Sequence, residues 1–376
     1  MHVAIFSHGG ISDPKGQTFI PALVNLVHAL SDSCSITVYT PAGPGQTASE
    51  KMMFGGRIRY LPASSLRTGP AFLWASLRAF REDHRRQRFD IVHGLWGYPA
   101  GVTAVLIART FSLPSVVSLL GGEGANIAAI RYGHMRTPGL RRVTLWTCRN
   151  ATVLCALTRF QYECLRRHGL SRPDVRVIPL GVPPSWVTTA LPVAPAVPPY
   201  RFLHVGNLTE VKDQETLLRA LVLMRQQVSL QARIVGPDYL GGRIQRIAAD
   251  FRLLDAIEFH GYVHPDRLIQ HYTWADILLH TSLYEGQAVV VAEAAARGVV
   301  VCGTEVGLIS DLGKSCAGVS TVGSAEELAG NALTILRNPE LFATLQRHAY
   351  EWAAQHTMSW SANEYCGIYK GLLKRG

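Results

Sequence analysis

Short apolar runs alternate with longer stretches whose apolar residues recur every three or four positions, and this alternation occurs twice along the chain. In the first half, residues 3–6, 36–39, 91–92, 115–119 and 153–156 read as strands, with 175–179 as a last strand. Residues 17–30, 71–88, 99–110, 140–149 and 159–168 read as helices between them. Strands separated by helices in this way predict a parallel sheet covered on both faces. A proline-rich stretch follows, running from Pro179 through Pro183 and Pro184 to Pro192, Pro195, Pro198 and Pro199. Proline removes amide donors and favours extended backbone, so this stretch reads as a linker and not as a core element. The pattern restarts at Arg201, with strands at 202–205, 231–235, 257–260, 277–280, 299–302 and 318–320. Helices are expected at 213–225, 242–251, 266–272, 288–296, 310–312 and 325–337. The expected fold is α/β, two doubly wound domains in tandem. Ligands of such sheets bind beyond the carboxyl ends of the strands, so two facing sheets would place a cleft between the domains.

With 376 residues, 48% hydrophobic and 17% charged, the chain is long and apolar enough for two packed domains. No apolar run reaches the roughly 18 to 20 residues that span a bilayer. The N-terminus, Met1 to Gly10, lacks the basic start of a signal peptide and reads as a first strand entering a glycine loop. Seven cysteines are scattered, and Cys148, Cys155 and Cys164 match no zinc spacing, so free thiols in a reducing cytosol are expected. The chain carries a net charge of +10, and all of that excess lies in the first half: residues 1–180 hold 21 Lys and Arg against 9 Asp and Glu. Arg78, Arg81, Arg85, Arg86 and Arg88 share a helical stretch with Phe72, Leu73, Trp74, Leu77 and Phe80. Such a helix suits an anionic membrane surface or an anionic acceptor; the alternative is a solvated helix with its apolar face in the core. No recognition motif accompanies the charge, which argues against a nucleic-acid partner.

Glu285 and Glu293 stand eight residues apart around Gly286 and a run of small apolar residues. Burying an unpaired charge is costly, so carboxylates beside such a run imply partners or a ligand. Gly286 suggests that Glu285 lies on a loop before a helix that carries Glu293. Both carboxylates could accept hydrogen bonds from sugar or ribose hydroxyls; the alternative is a surface glutamate and a helical one with a local partner. His260 and His264 are four apart, but Gly261 and Pro265 break any shared helical face, so no metal pair is expected.

Several segments, in this order, resemble the GT-B glycosyltransferases, in particular the retaining glycosyltransferase family four (glycosyl transferases group 1). Glu285 and Glu293 resemble that family's pair of glutamates. Phe202-Leu203-His204-Val205-Gly206-Asn207-Leu208 with Lys212 is similar to its strand–loop motif, although Asn207 stands where arginine is usual. Residues 175–182 resemble the segment that enters the linker, and 89–94 a strand of the acceptor-side core. Met358-Ser359-Trp360, with Tyr365 and Tyr369, resembles the final helix, which returns to the N-terminal domain. The resemblance implies an acceptor-side Rossmann-like domain at 1–182, a linker at 183–200, a nucleotide-sugar domain at 201–356 and a returning helix at 357–376.

It also implies the chemistry. Transfer from a nucleotide-diphosphate sugar, UDP- or GDP-linked, builds negative charge on the leaving phosphate, where preorganised donors act most strongly. Lys212 would supply a cation there, helped by the helix start near Asp213. Gly206 and Asn207 belong to the same loop, and Gly9 and Gly10 would let backbone amides face the phosphate and the acceptor. Glu285 would hold a hydroxyl of the transferred sugar, the amides of Gly286, Gln287 and Ala288 would meet that sugar, and Glu293 would hold the ribose. Residues 303–307 form a further loop on the same side. Leu120 stands at the place of a frequent family histidine, and Glu123, between glycines, would orient the acceptor or act as base; the alternative is a plain loop carboxylate. His93 and Trp96 are read as core residues near the acceptor. No Asp-x-Asp motif is present, in keeping with a fold type that generally works without a metal. The expected protein is cytoplasmic, peripheral on the inner face of the membrane, with a carbohydrate or lipid-linked acceptor. The competing readings are a weakly catalytic nucleotide-sugar-binding homologue or partner subunit, and an epimerase of the same fold.

Overall fold

The computed structural model describes residues 1–11, 20–43, 47–66, 68–195 and 197–374. Two compact units emerge, Met1–Gly181 with Met358–Gly376, and Val182–Thr357.

The first unit is built from β1 (His2–Phe6), α1 (Pro21–Ser31), β2 (Ser35–Pro41), β3 (Ser49–Met53), β4 (Gly56–Leu61), α2 (Gly69–Arg86), β5 (Ile91–Leu95), α3 (Val102–Thr110), β6 (Ser115–Ser118), α4 (Pro138–Asn150), β7 (Val153–Ala156), α5 (Arg159–Arg167) and β8 (Arg176–Val177). Its eight-stranded sheet has the order β3-β4-β2-β1-β5-β6-β7-β8. β1 and β5 are buried along their whole length, which is why they read as continuous apolar runs. The first part of the helix expected at 17–30 lies outside the described residues; the observed helix starts at Pro21, whose fixed φ suits a first turn.

One expectation is corrected here. The first sheet is not wholly parallel: β3 pairs with β4 antiparallel. These two strands carry Glu50, Lys51, Arg57 and Arg59, and β3 is an exposed edge strand, so its polar sequence lacks the apolar signal of a buried strand. The arginines of β4 have a structural task. Arg57 and Arg59 reach the buried Asp83 of α2 at 3.1 and 2.7 Å, and Tyr39 donates to it at 2.7 Å. Burial opposes ionisation of Asp83, but these partners hold its carboxyl below the usual range. The basic helix α2 is thereby clamped to the sheet. Phe72 and Phe80 are core residues, whereas Trp74 is 70% exposed beside exposed Arg78.

The second unit comprises β9 (Tyr200–Val205), α6 (Gln214–Arg225), β10 (Leu230–Val235), α7 (Arg243–Asp250), β11 (Ile257–Gly261), α8 (Pro265–Trp274), β12 (Ile277–His280), α9 (Val289–Ala296), β13 (Val300–Thr304), α10 (Gly307–Leu312), β14 (Ala317–Ser320), α11 (Ala325–Arg337) and α12 (Pro339–Gln355). The last helix, α13 (Met358–Leu373), belongs to the first unit. All strands of the second sheet are parallel, in the order β11-β10-β9-β12-β13-β14. Alternate residues of β12 enter opposite layers: Ile277 and Leu279 join the core under α6 and α11, Leu278 the core under α9 and α12. The pattern reading assigns no element to 339–355, yet Asn338 caps that helix through Leu341 N and Pro339 occupies its first turn.

The proline-rich stretch is not a free tether. Thr188 N donates to Ala296 O at 2.9 Å, Tyr350 donates to Thr188 O at 2.8 Å, and Gln346 donates to Pro192 O at 3.0 Å. These bonds fasten the stretch from Val182 onward to the second unit, of which it is a part.

Candidate functional site

In the second sheet the strand order reverses between β9 and β12, the place where open α/β sheets bind ligands. The loops after these two strands therefore lie side by side. They are laced together: Thr281 Oγ1 donates to Lys212 O at 2.8 Å and Leu283 N to Val211 O at 2.8 Å. This brings Lys212 and Glu285 together as an ion pair through Nζ and Oε1. Ser282 Oγ donates to the same oxygen at 2.6 Å, and His280 Nε2 approaches it to 3.3 Å. Burial resists ionisation of Glu285, but the Lys212 ammonium holds its carboxyl well below the usual carboxylate range. Lys212 and Ser282 both engage Oε1, while the Glu285 side chain keeps 14% exposure.

The loop geometry is set by close backbone approaches. Gly307 has φ +53°, and a Cβ there would lie 2.5 Å from Gln287 O and 2.8 Å from the Glu285 Cβ. Leu308 N donates to Gln287 O at 2.7 Å, so the loop after β13 braces residues 285–287. Gly236 follows β10 with φ +146°, and a Cβ there would meet Gly206 O at 2.0 Å. Ala288, which precedes α9, has φ +70°, a costly conformation for a residue with a side chain. Asn207 is exposed, and its carbonyl accepts from Gln214 Nε2 at 3.1 Å. The same Gln214 nitrogen lies 3.3 Å from His204 Nε2, and His204 Nδ1 is 3.0 Å from Leu279 O. Burial pushes His204 down to about 3, so it is a neutral spacer between β9 and β12.

Glu293 lies on α9 and accepts from Tyr272 Oη at 2.6 Å. Burial raises its carboxyl to about 7, only partly offset by that hydrogen bond. Lys212, Glu285, Gly286, Gln287, Ala288, Glu293, Gly206 and Asn207 thus share the carboxyl-end loops and the α9 flank of the second unit.

Of the expected residues of the first unit, Gly9 and Gly10 follow β1 at its own reversal point, between β1 and β5, and Glu123 follows β6. Gly9 has φ +150°, and among the described residues nothing lies within 4 Å of a Cβ position there. Gly10 has φ +79° and accepts from Ile20 N at 2.9 Å. Glu123 takes the loop-carboxylate alternative in its contacts. Its side chain is fully buried, and its two oxygens accept from the amides of Gly97, Leu120 and Gly121 at 3.0, 3.2 and 2.7 Å. A carboxylate that accepts from three main-chain donors ties the loop after β5 to the loop after β6, the arrangement of a loop carboxylate. His93 is a core residue as expected, hydrogen-bonded to Tyr369 at 2.6 Å and Ser118 at 2.8 Å, and burial pushes it down to about 3.

Sequence reasoning passed over Ser282, His280 and Tyr272. Ser282 and His280 flank a strand end whose apolar run gave no polar signal, and Tyr272 lies 21 residues from its partner Glu293.

Two family profiles match the chain, one described as "Glycosyl transferases group 1" over residues 199–338 and one as "Glycosyl transferase 4-like domain" over residues 21–181. A D-inositol 3-phosphate glycosyltransferase of Nocardiopsis dassonvillei is 26% identical over 321 residues, 80% of this chain and 74% of that one. The structure is similar to sucrose-phosphate synthase from Thermosynechococcus elongatus, with a TM-score of 0.84 at 20% identity over 100% of both chains. It is also similar to Anabaena HepE in complex with UDP and glucose, with a TM-score of 0.76 at 16% identity over 99% of this chain and 100% of that one. Both structural likenesses speak for the fold.

Proposed function

Because this chain belongs to the group 1 glycosyl transferases, and is a nucleotide-sugar-dependent glycosyltransferase of the GT-B fold, we propose that it is a retaining enzyme working through Lys212 and Glu285. The observation that carries this reading is their juxtaposition at the strand-order reversal: a cation for the donor diphosphate beside a carboxylate with one oxygen engaged. In the reaction, the bond from the sugar's anomeric carbon to the diphosphate breaks, and the acceptor oxygen bonds that carbon on the same face. The acceptor's proton passes to the departing phosphate, so the protein contributes positioning and charge stabilisation. Lys212 stabilises the growing phosphate charge, Glu285 holds a sugar hydroxyl, and Glu293 holds the ribose.

The donor is a UDP- or GDP-linked sugar, and the UDP bound in HepE supports uridine. The acceptor is a hydroxyl on a carbohydrate or lipid-linked polysaccharide precursor. The name of the inositol phosphate relative supports a polar, anionic acceptor. A peripheral location on an anionic membrane face is supported by exposed Trp74, Arg78, Arg81, Arg85 and Arg86 on α2. Among the described residues no helix is long and apolar enough to cross a membrane.

A second reading, a weakly catalytic nucleotide-sugar binder, draws on Asn207, an exposed neutral amide where the resembled motif usually carries an arginine. Thermal stabilisation by UDP, GDP, ADP and dTDP, with and without magnesium, tests the donor site. A nucleotide at 100 times its dissociation constant adds about 2.7 kcal/mol. A clear shift with UDP or GDP is expected, and none with any nucleotide would remove the reading.

A further inference from the structure

His280 closes β12 and is fully buried, yet among the described residues neither of its ring nitrogens has a hydrogen-bond partner. Its Nε2 lies 3.3 Å from Glu285 Oε1 but off the line of a hydrogen bond. A buried imidazole left unpaired is costly, and such a group calls for an explanation. Burial holds it in the neutral form, with one N–H to donate.

The explanation lies in Lys212. On the reading proposed above, this ammonium has two anionic claimants: Glu285 in the free protein and the donor diphosphate in the complex. When Lys212 turns to the diphosphate, Glu285 loses its lysine partner while remaining largely buried. A buried carboxylate deprived of its cation needs other donors. Ser282 already donates to Oε1, and His280 Nε2 stands within a small adjustment of doing so.

We infer that His280 is a positioning residue that takes over Oε1 of Glu285 as Lys212 transfers to the donor diphosphate, leaving Oε2 for the sugar. The unpaired imidazole of the free protein is the waiting half of a partner exchange. This inference rests on the proposed donor site. It assigns His280 a role in the bound state that packing alone would not require.

The test uses the full chain labelled with ¹⁵N-histidine, with the His280 ring signals assigned through His280→Gln. Ring nitrogen shifts are followed during titration with UDP and then GDP, and again in nucleotide-free Lys212→Ala and Lys212→Met. The expected result is a shift at His280 Nε2 on nucleotide saturation, in the same direction as in the two lysine variants without nucleotide. The second readout is thermal stability. His280→Leu should lower the melting temperature more in the Lys212→Met background than in the wild type, and His280→Gln, which keeps a donor, should restore most of the difference. If UDP or GDP binds while the His280 signals stay unchanged, the exchange is overturned and the donor site stands. If neither nucleotide binds, the donor-site reading fails and the exchange falls with it.

Discussion

Lys212 and Glu285, 73 residues apart in sequence, form a mostly buried ion pair across the loops that follow β9 and β12. Side-chain exposures of 20% and 14% leave little water to screen them. Lys212→Ala strands a buried carboxylate and should cost about 1–3 kcal/mol, less than a fully enclosed pair would. Glu285→Gln should cost less, and the double variant less than the sum of the two. A double-mutant cycle by chemical denaturation reads this coupling. In transferase assays each single variant should lose about 10²–10³-fold in turnover, the scale of a removed transition-state contact. Wild-type turnover in folded Lys212→Ala would end its role at the diphosphate.

Glu293 makes the second unit sensitive to pH. Its folded carboxyl is raised to about 7 from an ordinary value near 4.5, because burial penalises the charge. The folded state therefore binds the proton more tightly than the unfolded chain, and stability from this group is full below about 4.5 and lost as pH rises through about 7. Glu293→Gln should flatten this decline, so its melting temperature relative to wild type should rise between pH 5 and 8. Nucleotide affinity should move the other way, strengthening in the wild type as the carboxylate forms near pH 7 and losing that step in Glu293→Gln. Parallel pH profiles for the two proteins would contradict the assignment.

Gly307 offers a steric test of the loop that carries Glu285. Gly307→Ala must displace Gln287 O or the Glu285 Cβ, and places a side chain at φ +53°. A loss of about 1–2 kcal/mol and weaker nucleotide binding are expected. Gly330→Ala is the control, since it lies within α11 with nothing inside 4 Å of the new Cβ. It should be neutral or gain up to about 1 kcal/mol. Equal effects of the two substitutions on nucleotide binding would show that the close approach at Gly307 has no bearing on the site.

For Glu123 the structure predicts a stability phenotype. Glu123→Ala removes the acceptor of three amides, that of Gly97 buried and those of Leu120 and Gly121 half-buried, and should destabilise by about 2–3 kcal/mol, whereas Glu123→Gln keeps an acceptor oxygen and should cost about half as much. Turnover per folded molecule should fall far less in Glu123→Gln than in Glu285→Gln. Abolished turnover at an unchanged melting temperature would restore the acceptor-base role.

The legible parts of the fold were those where burial writes itself into the chain. Strands such as Ile277–His280 are covered on both faces and appear as apolar runs, and helices between them show their one-sided period. Ser49–Met53 is exposed, and Gly56–Leu61 spends its arginines on a buried aspartate in another element, so neither strand carries that mark. For the site, the motif around Glu285 and Glu293 was visible, but its partners were not. Ser282 and His280 look like ordinary residues at a strand end, and nothing in the spacing from Tyr272 to Glu293 announces a hydrogen bond.

By itself, the amino-acid sequence determined the kind and succession of elements, because propensity, periodicity and turn chemistry act over a few residues. It also determined the tandem of two doubly wound sheets and their kinship to a glycosyltransferase family. Only the tertiary structure decided which loops meet. The order β11-β10-β9-β12-β13-β14 sets the loop of Lys212 against the loop of Glu285, and the turn around Glu123 folds three amides onto its carboxylate. Such contacts join residues through space, and whether a carboxylate is free for a ligand depends on donors brought to it by packing.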